Sequence, residues 1–202
     1  MIKDFLIINC TGINDSLALK INNKFFIKKL QTNPIKSEIL TLEIVDFMKK
    51  YHVKLTSDFS TFVNSGPGSF SGIRISLAIA KGMKIAKHTK TYSYNNFLLY
   101  AAPYLKNKKK IVSMQKINNK LYYCKASFND NYCFTLPERF DYSKLQKKEF
   151  IFVIPQEIAS DEIVKKIKPQ KIQITKFNLK NIDILIKNRL VENKLIKPLY
   201  IS

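Results

Sequence analysis

Thr61–Lys87 reads TFVNSGPGSFSGIRISLAIAKGMKIAK, and the rest of the chain can be hung on this stretch. A short apolar strand, Phe59–Val63, enters a tight turn at Asn64–Ser69, and the turn opens a helix of about five turns. Gly66 and Gly68 can take backbone angles that other residues avoid. Pro67 between them fixes its own φ. Ser69 or Ser71 can cap the helix by accepting a first-turn N–H. The helix is apolar nearly all round, through Ile73, Ile75, Leu77, Ala78, Ile79, Ala80, Met83, Ile85 and Ala86. A helix of that kind needs cover on more than one side. Its own sheet supplies one cover, and a second must come from elsewhere.

The flanking sequence supplies the sheet. Phe5–Cys10 is a near-continuous apolar run of the kind found in buried central strands. Asn14–Asp15 fits a turn, and Ser16–Ile21 alternates as a half-buried strand. Asn22–Asn23 makes a short connection, and Lys24–Lys29 returns. Pro34 ends this meander. Ser37 can cap a helix running to about Tyr51, with Lys49, Lys50 and His52 at its negative end. After the long helix come a strand at Thr91–Tyr94 and a third helix capped by Asn95 and reaching Leu105. The charged run Lys106–Lys110 is the expected domain boundary, giving units of 1–105 and 106–202. Strands follow at Ile111–Met114, Leu121–Phe128, Tyr132–Leu136, Phe150–Ile154 and Ile172–Ile174. Helices are expected at Ser160–Ile167 and Ile182–Glu192, and Pro198 and Tyr200 close the chain in extended form. Both halves therefore share one plan: a meander, then helices alternating with strands.

The chain has 202 residues and a formal charge of +20. That length allows one good core or two small ones. No uncharged apolar run approaches the roughly 20 residues of a membrane span, and Met1–Asn9 does not read as a signal peptide. Cys10, Cys124 and Cys133 form neither a disulfide framework nor a paired zinc signature; reduced cytosolic thiols are expected. The charge invites a nucleic-acid reading. Yet only Arg74, Arg139 and Arg189 are arginines, and the abundance of Lys, Asn and Ile also fits an AT-biased genome. One block resists the compositional reading: from Phe59 to Asn129 there is no Asp or Glu. Its one-sign field would attract an acidic partner, protein or RNA.

The turn fails the common phosphate and nucleophile patterns. A Walker loop needs lysine where Ile73 follows Gly72. A nucleophile elbow needs serine where Phe70 lies between Gly68 and Gly72. A dinucleotide fold needs an acid about twenty residues on, and none occurs before Asp130. The first-turn N–H groups could hold an anion, or the loop could merely reverse the chain. Arg74 sits where the helix dipole disfavours a cation, so it either ties down its own loop or reaches a partner. The small residues Gly72, Ser76, Ala80, Gly82 and Ala86 allow close approach, either by another helix or by the sheet beneath. His52 and His88 are isolated near helix C-termini and read as caps. No His/Asp/Glu cluster has ligand spacing.

Asn64-Ser65-Gly66-Pro67-Gly68-Ser69-Phe70-Ser71-Gly72-Ile73-Arg74-Ile75, followed by Ala80-Lys81-Gly82, resembles the TsaB (YeaZ) family signature G-x-G-P-G-S-F-T-G-x-R-I-G, then A-K-G. Ser37-Glu38-Ile39-Leu40 resembles the family's H-S-E-x-L, and Pro198-Leu199-Tyr200-Ile201 resembles its terminal P-x-Y-L. Order and spacing fit over almost the whole chain, more thinly after Lys106. The resemblance implies an α/β fold of the actin, Hsp70 and sugar-kinase superfamily, with two RNase H-like subdomains of mixed sheets flanked by helices.

The resemblance also implies a role in making threonylcarbamoyladenosine in tRNA, beside the anticodon. The implied role is a non-catalytic subunit that pairs with the catalytic TsaD through its first two helices and is joined by the ATPase TsaE. The implied partner face is Ile39, Leu42, Gly72, Arg74, Ser76, Ile79, Ala80 and Met83; the signature loop is Asn64, Gly66, Pro67, Gly68, Ser69, Phe70 and Ser71. No catalytic residue, metal or cofactor of its own is expected, although a nucleotide at the joint interface and tRNA contact through the complex are compatible with it. So is a homodimer when the partner is absent. The expected location is the cytoplasm. The chain departs from the family at Asn9-Cys10-Thr11, where D-T-S is usual and where the wider superfamily uses an acid to hold nucleotide-bound metal. Lys36 stands where His is common, and Gln115–Tyr122 keeps only the tyrosine of D-A-R-x-G-E-x-Y. Two other readings remain: a stand-alone nucleotide-dependent kinase or ATPase, and a basic tRNA-binding module.

Overall fold

The computed structural model describes residues 2–12, 14–31, 37–107, 110–129, 131–141, 150–165, 172–193, 197–199 and 201. The chain divides into two compact units, residues 1–95 with 191–200, and residues 96–190. The division falls ahead of the charged run at 106–110. Pro34, Lys36, Asp130, Ile167 and Tyr200, used in the sequence reading, lie outside the described residues.

The first unit holds β1 (Phe5–Asn9), β2 (Ser16–Ile21), β3 (Lys24–Lys29), α1 (Ser37–Lys50), β4 (Ser60–Asn64), α2 (Phe70–Lys87) and β5 (Lys90–Tyr94). Its five strands run in the order β3-β2-β1-β4-β5. The β1–β2 and β2–β3 pairs are antiparallel, while β1–β4 and β4–β5 are parallel. Asn22 and Asn23 both take positive φ in the β2–β3 turn, as a two-residue hairpin of the primed type requires. β1 is buried on both faces. Leu6, Ile8 and Cys10 join Leu40, Ile44, Phe47 and Met48 of α1 in one core cluster. Phe5 meets the Phe62 ring at 5.1 Å, and Phe62 stacks on Tyr92 at 5.1 Å.

Helix ends follow from local chemistry. At the close of α1, Val53 N–H bonds Met48 C=O and His52 N–H bonds Lys49 C=O, with His52 at φ 52°. That is a Schellman ending. His88 ends α2 in the same left-handed conformation. Both histidines therefore sit at helix ends, as their isolation in sequence suggested.

The second unit holds α3 (Asn96–Ala101), β6 (Ile111–Ile117), β7 (Lys120–Asn129), β8 (Asn131–Phe134), β9 (Glu138–Arg139), β10 (Ile151–Pro155), α4 (Glu162–Lys165), β11 (Ile172–Thr175) and α5 (Ile182–Lys187). Its strands run β11-β10-β6-β7-β8, with β9 beside β7. Read from β8, this repeats the first sheet: three antiparallel strands, then two parallel ones. The shared plan read from the sequence is thus present in the pairing.

Two helices differ from expectation. The third helix tightens to a 3-10 turn at Ala102–Asn107. Pro103 has no N–H for the Leu99 carbonyl, and that carbonyl instead accepts the Asn181 side-chain amide at 3.2 Å. The last helix ends at Lys187 rather than Glu192, because the Asn188 side chain takes the Ile184 carbonyl at 2.8 Å and Arg189 turns to φ 57°. Glu192 then bridges to Ser93 of β5.

Candidate functional site

The signature turn is fastened to β1 and β5 by close backbone contact. A Cβ at Gly68 would collide with the Thr11 carbonyl, and one at Gly72 with the Cys10 carbonyl. Gly66 has φ +107°, where side chains are strained, and an added Cβ would lie 2.9 Å from Ile73 Cδ1. Ser69 N–H donates to Thr11 C=O at 2.7 Å, and Ser65 N–H donates to Tyr94 C=O at 2.8 Å. Leu199 N–H reaches Ser65 C=O at 2.7 Å. Two sequence motifs far apart in the chain therefore meet: the terminal Pro198–Leu199 segment seals the back of the turn.

Ser69, not Ser71, caps α2, accepting Gly72 N–H at 3.3 Å. One first-turn donor is thereby used inside the loop, which favours a loop that sets the helix over one that waits for an anion.

Beneath the turn lies a polar cluster. Asn64 Nδ2 donates to Asn9 Oδ1 at 2.7 Å, Asn9 Nδ2 donates to Asn14 C=O at 2.9 Å, and Asn64 Oδ1 accepts Gly66 N–H at 3.0 Å. Asn9 is fully buried, and its amide serves the loop from both ends. A carboxylate there could accept from Asn64 but would oppose the Asn14 carbonyl. The nearby acid Asp15 is committed too: its Oδ1 takes Gly12 N–H at 2.7 Å. Burial raises its pKa, while bonds from Gly12 and Thr11 pull it down. Burial pushes the Cys10 thiol up to about 12, against a bond from Ser76. The Tyr94 hydroxyl is also raised, by burial first and then by Cys10. The Cys10 thiol and the Tyr94 phenol therefore keep their protons at neutral pH, and they pack and position rather than exchange protons.

The expected partner residues divide between α1, which carries Ile39 and Leu42, and the differently buried faces of α2. Gly72, Ser76 and Ala80 are buried: Gly72 abuts Cys10, Ser76 Oγ donates to Gly72 C=O at 2.8 Å, and Ala80 packs with Val63, Ile73 and Leu77. Ile79 and Met83 are half-buried against the α1 cluster. Arg74 and Leu42 are exposed, and Ile39 is half-buried. The Arg74 guanidinium lies 5.0 Å from the Phe70 ring centre, one helical turn back. Pro67 is buried, whereas Phe70 and Ser71 are exposed.

The outward face contains Gly82 and Ala86, two of the small residues expected to allow close approach, and also Ala78 and Ile85, which were expected only to make the helix apolar. Ala78, Gly82, Ile85 and Ala86 are all exposed, and Ile85 is 79% exposed. A Cβ at Gly82 would meet nothing within 4 Å. The signal available in sequence was the spacing of Ser71, Ala78, Gly82 and Ala86 on one side of a 3.6-residue helix.

No protein-family model matches the chain. The tRNA threonylcarbamoyladenosine biosynthesis protein TsaB of Buchnera aphidicola subsp. Baizongia pistaciae (strain Bp) is 39% identical over 64 residues. That match spans 32% of this chain and only 28% of the relative. YeaZ from Pseudomonas aeruginosa superposes with a TM-score of 0.66 at 14% identity, covering 98% of this chain and 100% of that one. The fold is that of YeaZ. A second P. aeruginosa chain, described as similar to peptidase YeaZ, gives a TM-score of 0.66 at 13% identity, with 99% and 100% coverage. The chain is thus similar to a TsaB protein over a short stretch of sequence and to YeaZ over its whole fold. The two mixed sheets flanked by helices that were expected from the resemblance are present in this YeaZ-like architecture.

Within this YeaZ-like fold, the described residues contain no group of three or more His, Cys, Asp or Glu able to hold a metal. No described helix is long and apolar enough to cross a membrane.

Proposed function

We propose that this chain is a non-catalytic subunit of the cytoplasmic complex that installs threonylcarbamoyl on the adenosine beside the tRNA anticodon. It pairs with and activates a TsaD-like catalytic subunit, and a TsaE-like ATPase joins the pair. The observation that carries this reading is the outward face of α2, where Ala78, Gly82, Ile85 and Ala86 are small or apolar and open. A second helix can approach there closely, with Ile79, Met83 and Leu42 at its margin. The cluster around Asn9 supports the non-catalytic part, since the residue at the superfamily's acid position is a neutral amide bonded within its own loop. A nucleotide, where one is used, belongs to the joint interface.

The test is co-expression with a TsaD-like subunit, followed by a tRNA-modification assay with and without this chain. Wild-type protein should co-purify and be required for modification. Gly82→Leu and Ile79→Asp should each weaken the pair about tenfold or more. Normal pairing by both variants would remove this surface from the proposal, and robust ATP turnover by the chain alone would favour the independent kinase or ATPase. The acid-free block from Phe59 to Asn129 motivates the tRNA-binding reading. That reading requires tRNA affinity of the isolated chain that falls steeply with salt.

A further inference from the structure

A cleft lies at the end of the first sheet away from the signature turn. It opens where β1, β4 and β5 begin, with Ser60 paired to Phe5 on one side and to Lys90 on the other. Four residues of β4 separate Ser60 from Asn64 at the turn, about 13 Å of strand. The cleft holds about 780 Å³, the size of a small-molecule site, and its lining residues all belong to the first unit. Local bonds set its walls. Phe59 N–H donates to Thr56 C=O at 3.1 Å, Val53 N–H donates to Met48 C=O at 3.0 Å, and Asn22 N–H donates to Asp4 Oδ1 at 3.0 Å.

We infer that this cleft binds a small organic phosphate. Lys3, His52, Lys54 and Lys90 line it against Asp4 and Asp58. Both acids are engaged, Asp4 with Asn22 N–H and Asp58 with Lys90 at 3.5 Å. Among the described residues Lys3 and Lys54 have no ion pair. Like charges sharing a concavity raise each other's energy, and a dianion seated there removes that cost. Lysine is a point charge suited to phosphate, whereas the flat fork that matches a carboxylate belongs to arginine, and no arginine lines the cleft. Ser60, also in the lining, is fully buried, and its hydroxyl has no hydrogen-bond partner among the described residues; one donor is left unspent. Tyr92 stacks on Phe62 and stays half-buried, as do Ile21 and Val53 in the same lining, so an organic group has apolar surface to cover. A nucleic-acid backbone fits less well. Asp58 is 94% exposed, so a strand laid across the cleft would meet a carboxylate.

Calorimetric titration of the purified full chain with AMP, inorganic phosphate and adenosine tests this. AMP should bind at one site, phosphate more weakly, and adenosine not at all. Lys3→Glu combined with Lys54→Glu should weaken AMP binding about tenfold or more. Lys120→Glu combined with Lys176→Glu makes the same change in net charge at exposed positions of the second unit and should leave AMP binding as it is. Circular dichroism checks that both variants are folded. Three results would overturn the inference: AMP binding no tighter than adenosine, equal losses in the two double variants, or a cleft reversal that weakens only binding of a tRNA transcript. Phosphate binding as tightly as AMP would overturn the organic part of the ligand and keep the anion site. None of these measurements involves a TsaD-like subunit, so the docking reading stands or falls separately.

Discussion

The inward and outward faces of α2 use the same small residues for opposite reasons. Gly72, Ser76 and Ala80 face the sheet, where Gly72 lets the Cys10 carbonyl come within a distance no side chain permits. Ala78, Gly82 and Ala86 repeat that four-residue spacing on the exposed side, where the space over Gly82 is open. On the first face a small residue answers a neighbour already present. On the second it answers none in its own unit. The sign of a glycine-to-alanine change should therefore differ between the two.

Gly72→Ala should produce the largest effect. The added methyl meets backbone rather than a flexible side chain, so β1 or α2 must shift, and overpacking of this kind costs about 3 kcal/mol. Urea denaturation would register it as a lower midpoint at an unchanged slope. An unaltered midpoint would mean that the turn does not press on β1 as described.

Next comes the buried thiol under the same face. The Cys10 pKa is raised from 9.0 to about 12, so the folded state holds its proton more tightly than the unfolded state does. Its contribution is fully present below about pH 9 and is lost as pH rises toward 12. The slope over that window is about 1.4 kcal/mol per pH unit. Cys124, Tyr94 and Tyr123 are raised as well, so the useful quantity is the difference between wild type and Cys10→Ala across this range. A difference that does not change with pH would show that Cys10 reaches solvent.

Much of this was legible in sequence because local chemistry specifies it. Ser69 is a good cap before a run of helix formers, and α2 starts directly after it. Asn22–Asn23 between alternating strands marked the hairpin, and the repeated meander marked the two sheets. The direction in which each small residue points was not legible. Ala78 and Ala80 are chemically identical and lie on opposite sides of one helix, and a helix apolar nearly all round offers no contrast from which to read a face. Long-range partners were equally hidden. Nothing near Glu192 announces that it leaves the helix to pair with Ser93, and nothing in Leu199 announces Ser65. The Asn9–Asn64 bond joins residues 55 positions apart. Sequence showed the departure from an acid at Asn9, but not that its amide is held at both ends.

On the outward face the expected changes are smaller, and the first has the opposite sign. Gly82→Ala should stabilise the isolated chain by about 1 kcal/mol, since alanine restricts the unfolded backbone and has room in the folded state. It should also weaken the complex with a TsaD-like subunit, because the methyl occupies the approach. Stabilisation without loss of binding would mean that the partner does not cross at Gly82. Arg74→Ala should move stability least, by about 0.5 kcal/mol, the value of an exposed cation–aromatic contact. Its guanidinium lies over Phe70 of its own helix and is exposed, so little of the fold depends on it. If Arg74 also meets a carboxylate of the partner, its loss should weaken the complex by several times more than it weakens the fold. Denaturation and binding measured on the same Arg74→Ala preparation separate the two roles: equal small losses would assign Arg74 to its own loop, and a selective loss of binding would assign it to the docking face.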